Sequence, residues 1–238
     1  MNLVVILVLL AVLLETVVFI IYRIHRKKFH LIQNTETSKI TTLKTGFYEI
    51  KGKVVCQSEK LVSPLTKKSC VYYKFKVEEQ RSSGKSSHWI TLINDEKFVR
   101  FAVQDSSGMA MLDIQGAKLK LNKDVKGNSG LFKKVIPELE ETLKQYGKTS
   151  KGWIFEKSLR YEELFLLEGD ELYVLGEVTD FESYYPVFKK DTLPFIISDK
   201  PEEELLRGFR HIMQIALFFL LAIPGALVIY LVYHFSSS

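Results

Sequence analysis

Cysteine is scarce. The 238-residue chain carries two, Cys56 and Cys70, too few for a disulfide framework or a four-cysteine zinc site. The five histidines are His25, His30, His88, His211 and His234, and neither cysteine has one close by in sequence to serve as its base. Both thiols are read as small buried side chains; Cys70, beside Val71-Tyr72-Tyr73, already sits in a strand-like run. The phosphate loop Gly-x-x-x-x-Gly-Lys-Ser/Thr, the zinc helix His-Glu-x-x-His and the Gly-x-Ser-x-Gly elbow are all missing, which removes the commonest nucleotide, metalloprotease and hydrolase readings. Strong charge of one sign is missing too: the net charge is +5, with charged residues at 26%. That balance is ordinary for a membrane protein with cytosolic Lys and Arg and gives no argument for nucleic acid.

Apolar residues are plentiful, at 47%, and concentrate at the two ends of the chain. Residues 3–22 form an apolar run of about 20 residues, enough to cross a hydrocarbon core of roughly 30 Å as a helix. No basic segment precedes it and no small-residue cleavage site follows, so a transmembrane helix is favoured over a signal peptide. Residues 212–233 form a second run, with Pro224-Gly225 predicting a kink and Ala222/Ala226 offering a small-x-x-x-small contact. Arg23, Arg26, Lys27 and Lys28 follow the first run, and Arg207 and Arg210 precede the second. By the positive-inside rule both ends of the chain face out and residues 23–210 are cytosolic; the same cations suit anionic lipid headgroups. Glu15, an ionisable residue inside a span, costs at least ~2.5 kcal/mol at a helix centre on insertion scales and is a functional candidate for that reason. It is expected to face the second helix or another copy of the chain.

Between the spans, residues 23–45 read as a basic juxtamembrane linker, with little structure over Phe29–Thr45. Residues 46–198 read as a mainly β domain, and 199–211 as a connector. Alternation over Phe47–Val55, Val71–Glu79, Trp89–Ile93, Phe98–Val103, Met109–Ile114 and Ala117–Leu121 predicts short strands at the spacing of a barrel or sandwich, with a small OB-like barrel as the lead architecture. Tyr73 and Phe75 should face a core and Lys74 and Lys76 solvent. Arg81–Ser87 (RSSGKSS) reads as a mobile hairpin loop, Asp124–Gly130 as a loop, and Tyr184-Tyr185-Pro186 as a turn. One amphipathic helix is expected near Leu131–Tyr146, from the spacing of Leu131, Val135, Leu139 and Leu143. Pro137 should set its start and Gly147 its C-terminal cap.

The most informative stretch is Arg160-Tyr161-Glu162-Glu163 running into Gly169-Asp170-Glu171-Leu172-Tyr173-Val174-Leu175-Gly176-Glu177-Val178. It reads as strand, tight turn and strand: a hairpin at the centre of the β domain. Gly176 inside the second strand predicts a bulge or the close approach of another backbone. Neighbouring strand residues point to opposite faces, so Glu162 and Glu163 share no site easily. Glu162, Glu163, Asp170 and Glu171 are read as solvated strand or turn residues, with Arg160 a partner for one of them.

This stretch resembles the signature of the GIDE, or "beside a membrane", domain found in mitochondrial outer-membrane RING ubiquitin ligases. Glu49-Ile50-Lys51-Gly52-Lys53-Val54, Ser63-Pro64-Leu65-Thr66 and Cys70-Val71-Tyr72-Tyr73 agree, in the same order. The resemblance makes Gly52, Cys70, Arg160, Tyr161, Glu162, Glu163, Gly169, Asp170 and Gly176 the motif residues. It also implies a link to E3 ubiquitin transfer, which in those ligases is carried by a RING beyond the second membrane helix. A RING takes about eight Cys and His ligands for two zincs, which two cysteines do not supply. The reading is therefore a membrane-tethered sensing or adaptor module for a cytosolic protein or ligand, with no catalytic residue, cofactor or metal assigned. The alternatives are the scaffold part of an E3 ubiquitin-ligase-like system, with catalysis supplied by another chain, and a structural, oligomerising membrane protein. The expected partners are the lipid bilayer, an unidentified cytosolic protein or ligand, and a second copy of the chain; nucleic acid is not expected.

Overall fold

The computed structural model describes residues 3–236 apart from 85, 131–132 and 153–155. It divides into two compact units, Thr37–Lys200 and the terminal segments Met1–Glu36 with Pro201–Ser238. In chain order the elements are α1 (Leu3–Gln33), β1 (Gly46–Cys56), β2 (Leu61–Val62), β3 (Ser69–Cys70), β4 (Tyr72–Ser83), β5 (Ser86–Phe98), β6 (Phe101–Gln104), β7 (Met109–Asp113) and β8 (Lys118–Lys120). There follow β9 (Val125–Ser129), α2 (Pro137–Gln145), β10 (Leu159–Leu166), β11 (Glu171–Glu182), β12 (Tyr185–Lys189), β13 (Ile196–Ser198) and α3 (Glu202–Ser236).

Five strands close on themselves in the order β1-β6-β7-β12-β11-β1, with β7 and β12 parallel and every other pair antiparallel. This is the small OB-like barrel expected from the strand spacing. Closure leaves none of the five with a free edge along its paired length. Ile50, Val54, Phe101, Val103, Val174 and Phe188 fill the interior, all at or below 1% exposure. β11 has three neighbours: β1 along one side, and β13 and then β12 along the other.

A four-stranded antiparallel sheet, β5-β4-β10-β9, forms a side lobe. Its inner face carries Phe75, Val77 and Leu159, which pack with Leu139 and Leu143 of α2 around a second core. A nine-residue helix is too short to persist alone. Burying its two leucines contributes about 2 kcal/mol each. Pro137 stands at the helix start, and Gly147 (φ +65°) ends it, with the Lys148 N–H donating to the Leu143 carbonyl. Tyr73 and Phe75 are buried and Lys74 and Lys76 are not, as the alternation requires. Leu131, which entered the helix reading, lies outside the described residues, as does Lys85 of the RSSGKSS segment.

Several expectations change. β10 and β11 are consecutive but do not pair: β10 lies between β4 and β9, and β11 belongs to the barrel. The Gly169-Asp170 turn therefore crosses between sheets instead of closing a hairpin. Gly169 (φ +91°) donates its N–H to the Val54 carbonyl, and the Val54 N–H donates back to Asp170 O. Asp124–Gly130 is not all loop: β9 forms there because β10 offers it a paired edge and Gly127 leaves room for the Tyr161 ring. The RSSGKSS segment continues both strands as far as Ser83 and Ser86. Tyr185 and Pro186 are in β12, and the turn sits at Ser183-Tyr184, both with positive φ. Phe29–Thr45 is helical to Gln33, and beyond it Ile40 and Leu43 are buried in the barrel core. The Asp105 carboxylate holds that segment by accepting the N–H of Ile40 at 3.0 Å. Most of the expected connector is the first turns of α3.

In the other unit, α1 and α3 are long and apolar enough to cross a membrane, with mean hydropathy of 3.2 and 2.7 over their most apolar stretches. They pack together: the His25 and Phe209 rings lie 5.9 Å apart, and the Arg210 guanidinium lies over Phe29. The less exposed positions of α1 (Ala11, Glu15, Val18, Tyr22) and of α3 (Phe209, Met213, Ala216, Leu220) recur every three or four residues, as a helix seam requires.

Candidate functional site

The motif residues on β10 divide between the two faces of the side lobe. Strand alternation sends Leu159, Tyr161 and Glu163 inward and Arg160 and Glu162 outward. The inward group builds a clasp. Glu163, expected to be solvated, is fully buried. Its carboxylate accepts the backbone N–H of Leu65 at 2.7 Å, the N–H of Thr66 at 3.0 Å and the Thr66 hydroxyl at 2.6 Å. Ser63-Pro64-Leu65-Thr66, recognised in the sequence as a separate block, is thus the ligand set of Glu163. Two backbone donors and a hydroxyl replace the water that a buried carboxylate loses. Cys70 lies fully buried in the same core. Burial first, and then the Glu163 charge, push its thiol up to about 11. Cys56, at the end of β1, is half-buried and donates to the Ser58 carbonyl.

Two further carboxylates hold hydroxyls inside the fold, and sequence reasoning missed both. Asp95 accepts the phenol of Tyr73 at 2.8 Å and that of Tyr146, which joins β5, β4 and the end of α2. Burial, followed by the hydrogen bond to Asp95, pushes both phenols well above their usual range. Glu49 is fully buried and accepts the hydroxyls of Thr37 at 2.6 Å and Tyr173 at 2.8 Å. The spacing Leu159-x-Tyr161-x-Glu163 was the available signal for Glu163, since period two places the acid on the apolar face. Glu49 and Asp95 carried no such mark.

Two of the motif glycines, Gly52 and Gly176, differ in what they admit. A Cβ on Gly52 would overlap the backbone carbonyl of Gln104 on β6 and the Val103 side chain. The close backbone approach expected at Gly176 is therefore at Gly52. Gly176 is neither a bulge nor a backbone contact: the Phe195 ring covers it, with Cδ2 2.6 Å from where a Cβ would lie. The register shift in β11 falls later, between Val178 and Asp180. Asp170, read as solvated, accepts the Leu167 N–H at 2.7 Å within its turn.

Outward, Arg160 stacks on Trp89 with its guanidinium carbon 4.2 Å from the ring centroid. Its Nε donates to Glu78 at 2.6 Å, so its partner is Glu78 on β4 and none of the acids of its own stretch. The hydrogen bond from Arg160, and then that from Lys76, hold the Glu78 carboxyl down at about 2. Glu162 pairs with Lys123. With Lys126 and the Tyr161 edge these residues line an open groove of about 430 Å³.

In the helical unit Glu15 occupies the half-buried seam of α1, and among the described residues it has no hydrogen-bond or ion-pair partner. Ala222 is half-buried and Ala226 exposed, and Ala216, at 5% exposure, is the small residue buried along α3 among the described residues. Arg23, Arg26 and Lys27 are exposed on α1, and Lys28 is half-buried. Arg207 and Arg210 are exposed on α3. Among the described residues no cluster of three His, Cys, Asp or Glu side chains has the arrangement of a metal site.

The family model described as "GIDE: E3 Ubiquitin ligase" matches residues 72–229, from the start of β4 into α3. No curated protein and no solved structure matches the chain.

Proposed function

Because the chain belongs to the GIDE family, described as E3 ubiquitin ligase, we propose that it is a membrane-tethered sensing or adaptor module. In this reading the β unit binds a protein or ligand at the cytosolic membrane surface. The observation that carries it is the continuity of Thr37–Lys200 with an apolar helix at each end, 31 residues before and 35 after. Two anchors restrict a domain's depth and orientation, which matters for a binding face and is of little use to a freely diffusing adaptor. In this reading the cations Arg23, Arg26, Lys27, Lys28, Arg207 and Arg210 support, by the positive-inside rule, a cytosolic side for residues 23–210 with both ends of the chain outside. The buried carboxylates Glu49 and Glu163 are occupied in holding loops and hydroxyls, so they serve the scaffold. The outward face of the side lobe is left for recognition.

The family description favours a second reading, in which the chain is the scaffold part of a ubiquitin-ligase system. Native mass spectrometry of the full-length protein, gently extracted from its own membranes, separates the two. A stoichiometric small-molecule mass, or a bound protein outside the ubiquitin pathway, supports the sensing or adaptor reading. Co-isolation of a ubiquitin-conjugating enzyme or a RING protein supports the scaffold. A bare homo-oligomer overturns both and shifts attention to Glu15.

A further inference from the structure

We propose that the outward groove around Arg160 binds a phosphoryl group carried by a small ligand. This deepens the sensing reading above and rests on it.

Arg160 is held for the purpose. Trp89 supports one face of the guanidinium and Glu78 takes Nε, so the plane of the group is set before any ligand arrives. Its terminal Nη donors have no partner among the described residues. They form the planar fork that grips two oxygens of one anion, at less entropic cost than a free arginine. Glu78 is itself steadied by Lys76, 2.8 Å away, and being ionised down to about pH 2 it keeps its hold throughout the physiological range. Lys126, across β10 from Lys76, also has no partner among the described residues, and Lys123 is shared with Glu162.

The groove thus holds four cations, Lys76, Lys123, Lys126 and Arg160, against two carboxylates, Glu78 and Glu162. A net charge of that sign suits a dianion better than a single carboxylate. The volume of about 430 Å³ lies in the size class of small-ligand sites. A second groove, lined by Gln80, Trp89, Asn128 and Lys133, contains the indole on which Arg160 stacks and gives the rest of the ligand a polar wall. The phosphoryl group comes either from a soluble organophosphate or from a lipid headgroup; the chemistry at Arg160 is the same.

Trp89 makes the site observable. In a Trp153→Phe background the indole emission reports on the Arg160 stack. Full-length protein in neutral phosphatidylcholine nanodiscs is titrated with pyrophosphate, and separately mixed with phosphatidylcholine vesicles that carry phosphatidylinositol bisphosphate. Saturable emission change with pyrophosphate assigns the soluble source; change with the vesicles alone assigns the headgroup. In either case Arg160→Lys, which keeps the charge and loses the fork, should weaken binding about tenfold or more, and Lys126→Gln several-fold. No saturable change with either probe, or equal binding by Arg160→Lys, overturns the proposal. A protein partner captured by mass spectrometry in that event would leave the adaptor reading standing and remove only the phosphoryl ligand.

Discussion

The barrel and the side lobe solve one problem differently. Both are β structures of modest size, yet the barrel joins its last strand to its first, whereas the lobe is an open sheet ending in β5 and β9. Closure spends every strand edge on pairing and crowds backbones together, so the barrel depends on positions without side chains. The lobe has room but less enclosure. It recruits a nine-residue helix and fixes it and its loops with carboxylates: fully buried Glu163 on the Ser63–Thr66 loop and half-buried Asp95 on two tyrosines. Close backbone approach at Gly52 sets the first region apart; a carboxylate that satisfies buried groups is common to both, Glu49 in the barrel and Glu163 in the lobe.

The sharpest test of that difference lies in the lobe. Glu163→Ala strands the buried N–H of Leu65 and that of Thr66, at about 1–3 kcal/mol for each unsatisfied group. A loss of roughly 4 kcal/mol in denaturant unfolding is expected, with Glu163→Gln recovering part of it because an amide oxygen still accepts. If Glu163→Ala is neutral, the clasp does not hold the lobe.

Gly52→Ala should follow, at about 3 kcal/mol, since the obstacle is the Gln104 backbone and overpacking of this kind costs about 1–3 kcal/mol and occasionally more. Gly127→Ala is its counterpart in the lobe. The added Cβ would meet the outer end of the Tyr161 ring, which can swing away, so about 1 kcal/mol is expected. Equal losses at the two glycines would erase the distinction between a barrel held by backbone contact and a lobe with slack.

Smaller effects appear in titration. The folded Glu78 carboxyl titrates at about 2, below its ordinary 4.5, because Arg160 and then Lys76 stabilise its charge. Its contribution to stability is complete above the unfolded value and declines as pH falls through the folded one. Trp89 emission, in the Trp153→Phe background, should therefore hold through pH 4.5 and change near pH 2; Glu78→Gln should remove that step. Thiol labelling at pH 8 should modify Cys56 and spare Cys70 until the protein is unfolded, since Cys70 is fully buried with its thiol raised to about 11.

Local pattern determined much of this protein. Period-two alternation marks most strands, and the leucine spacing with Pro137 and Gly147 marks α2. The two apolar runs mark α1 and α3, and the motif blocks mark the family, because each is written in neighbours a few residues apart. Partnership was decided by tertiary structure alone. Gly169-Asp170 has the composition of a hairpin turn, yet β10 and β11 part there because each meets strands distant in sequence that bury its face better. Glu163 and Leu65 of the Ser63–Thr66 loop lie 98 residues apart in sequence, and Glu49 and Tyr173 lie 124 apart. Arg160 finds Glu78 and Trp89 only because β4 and β5 fold beside it. A side chain's local sequence sets which face of its strand it occupies. Which charge, ring or backbone group it then meets depends on how distant segments are brought together, and that was settled by closing the barrel and packing the lobe.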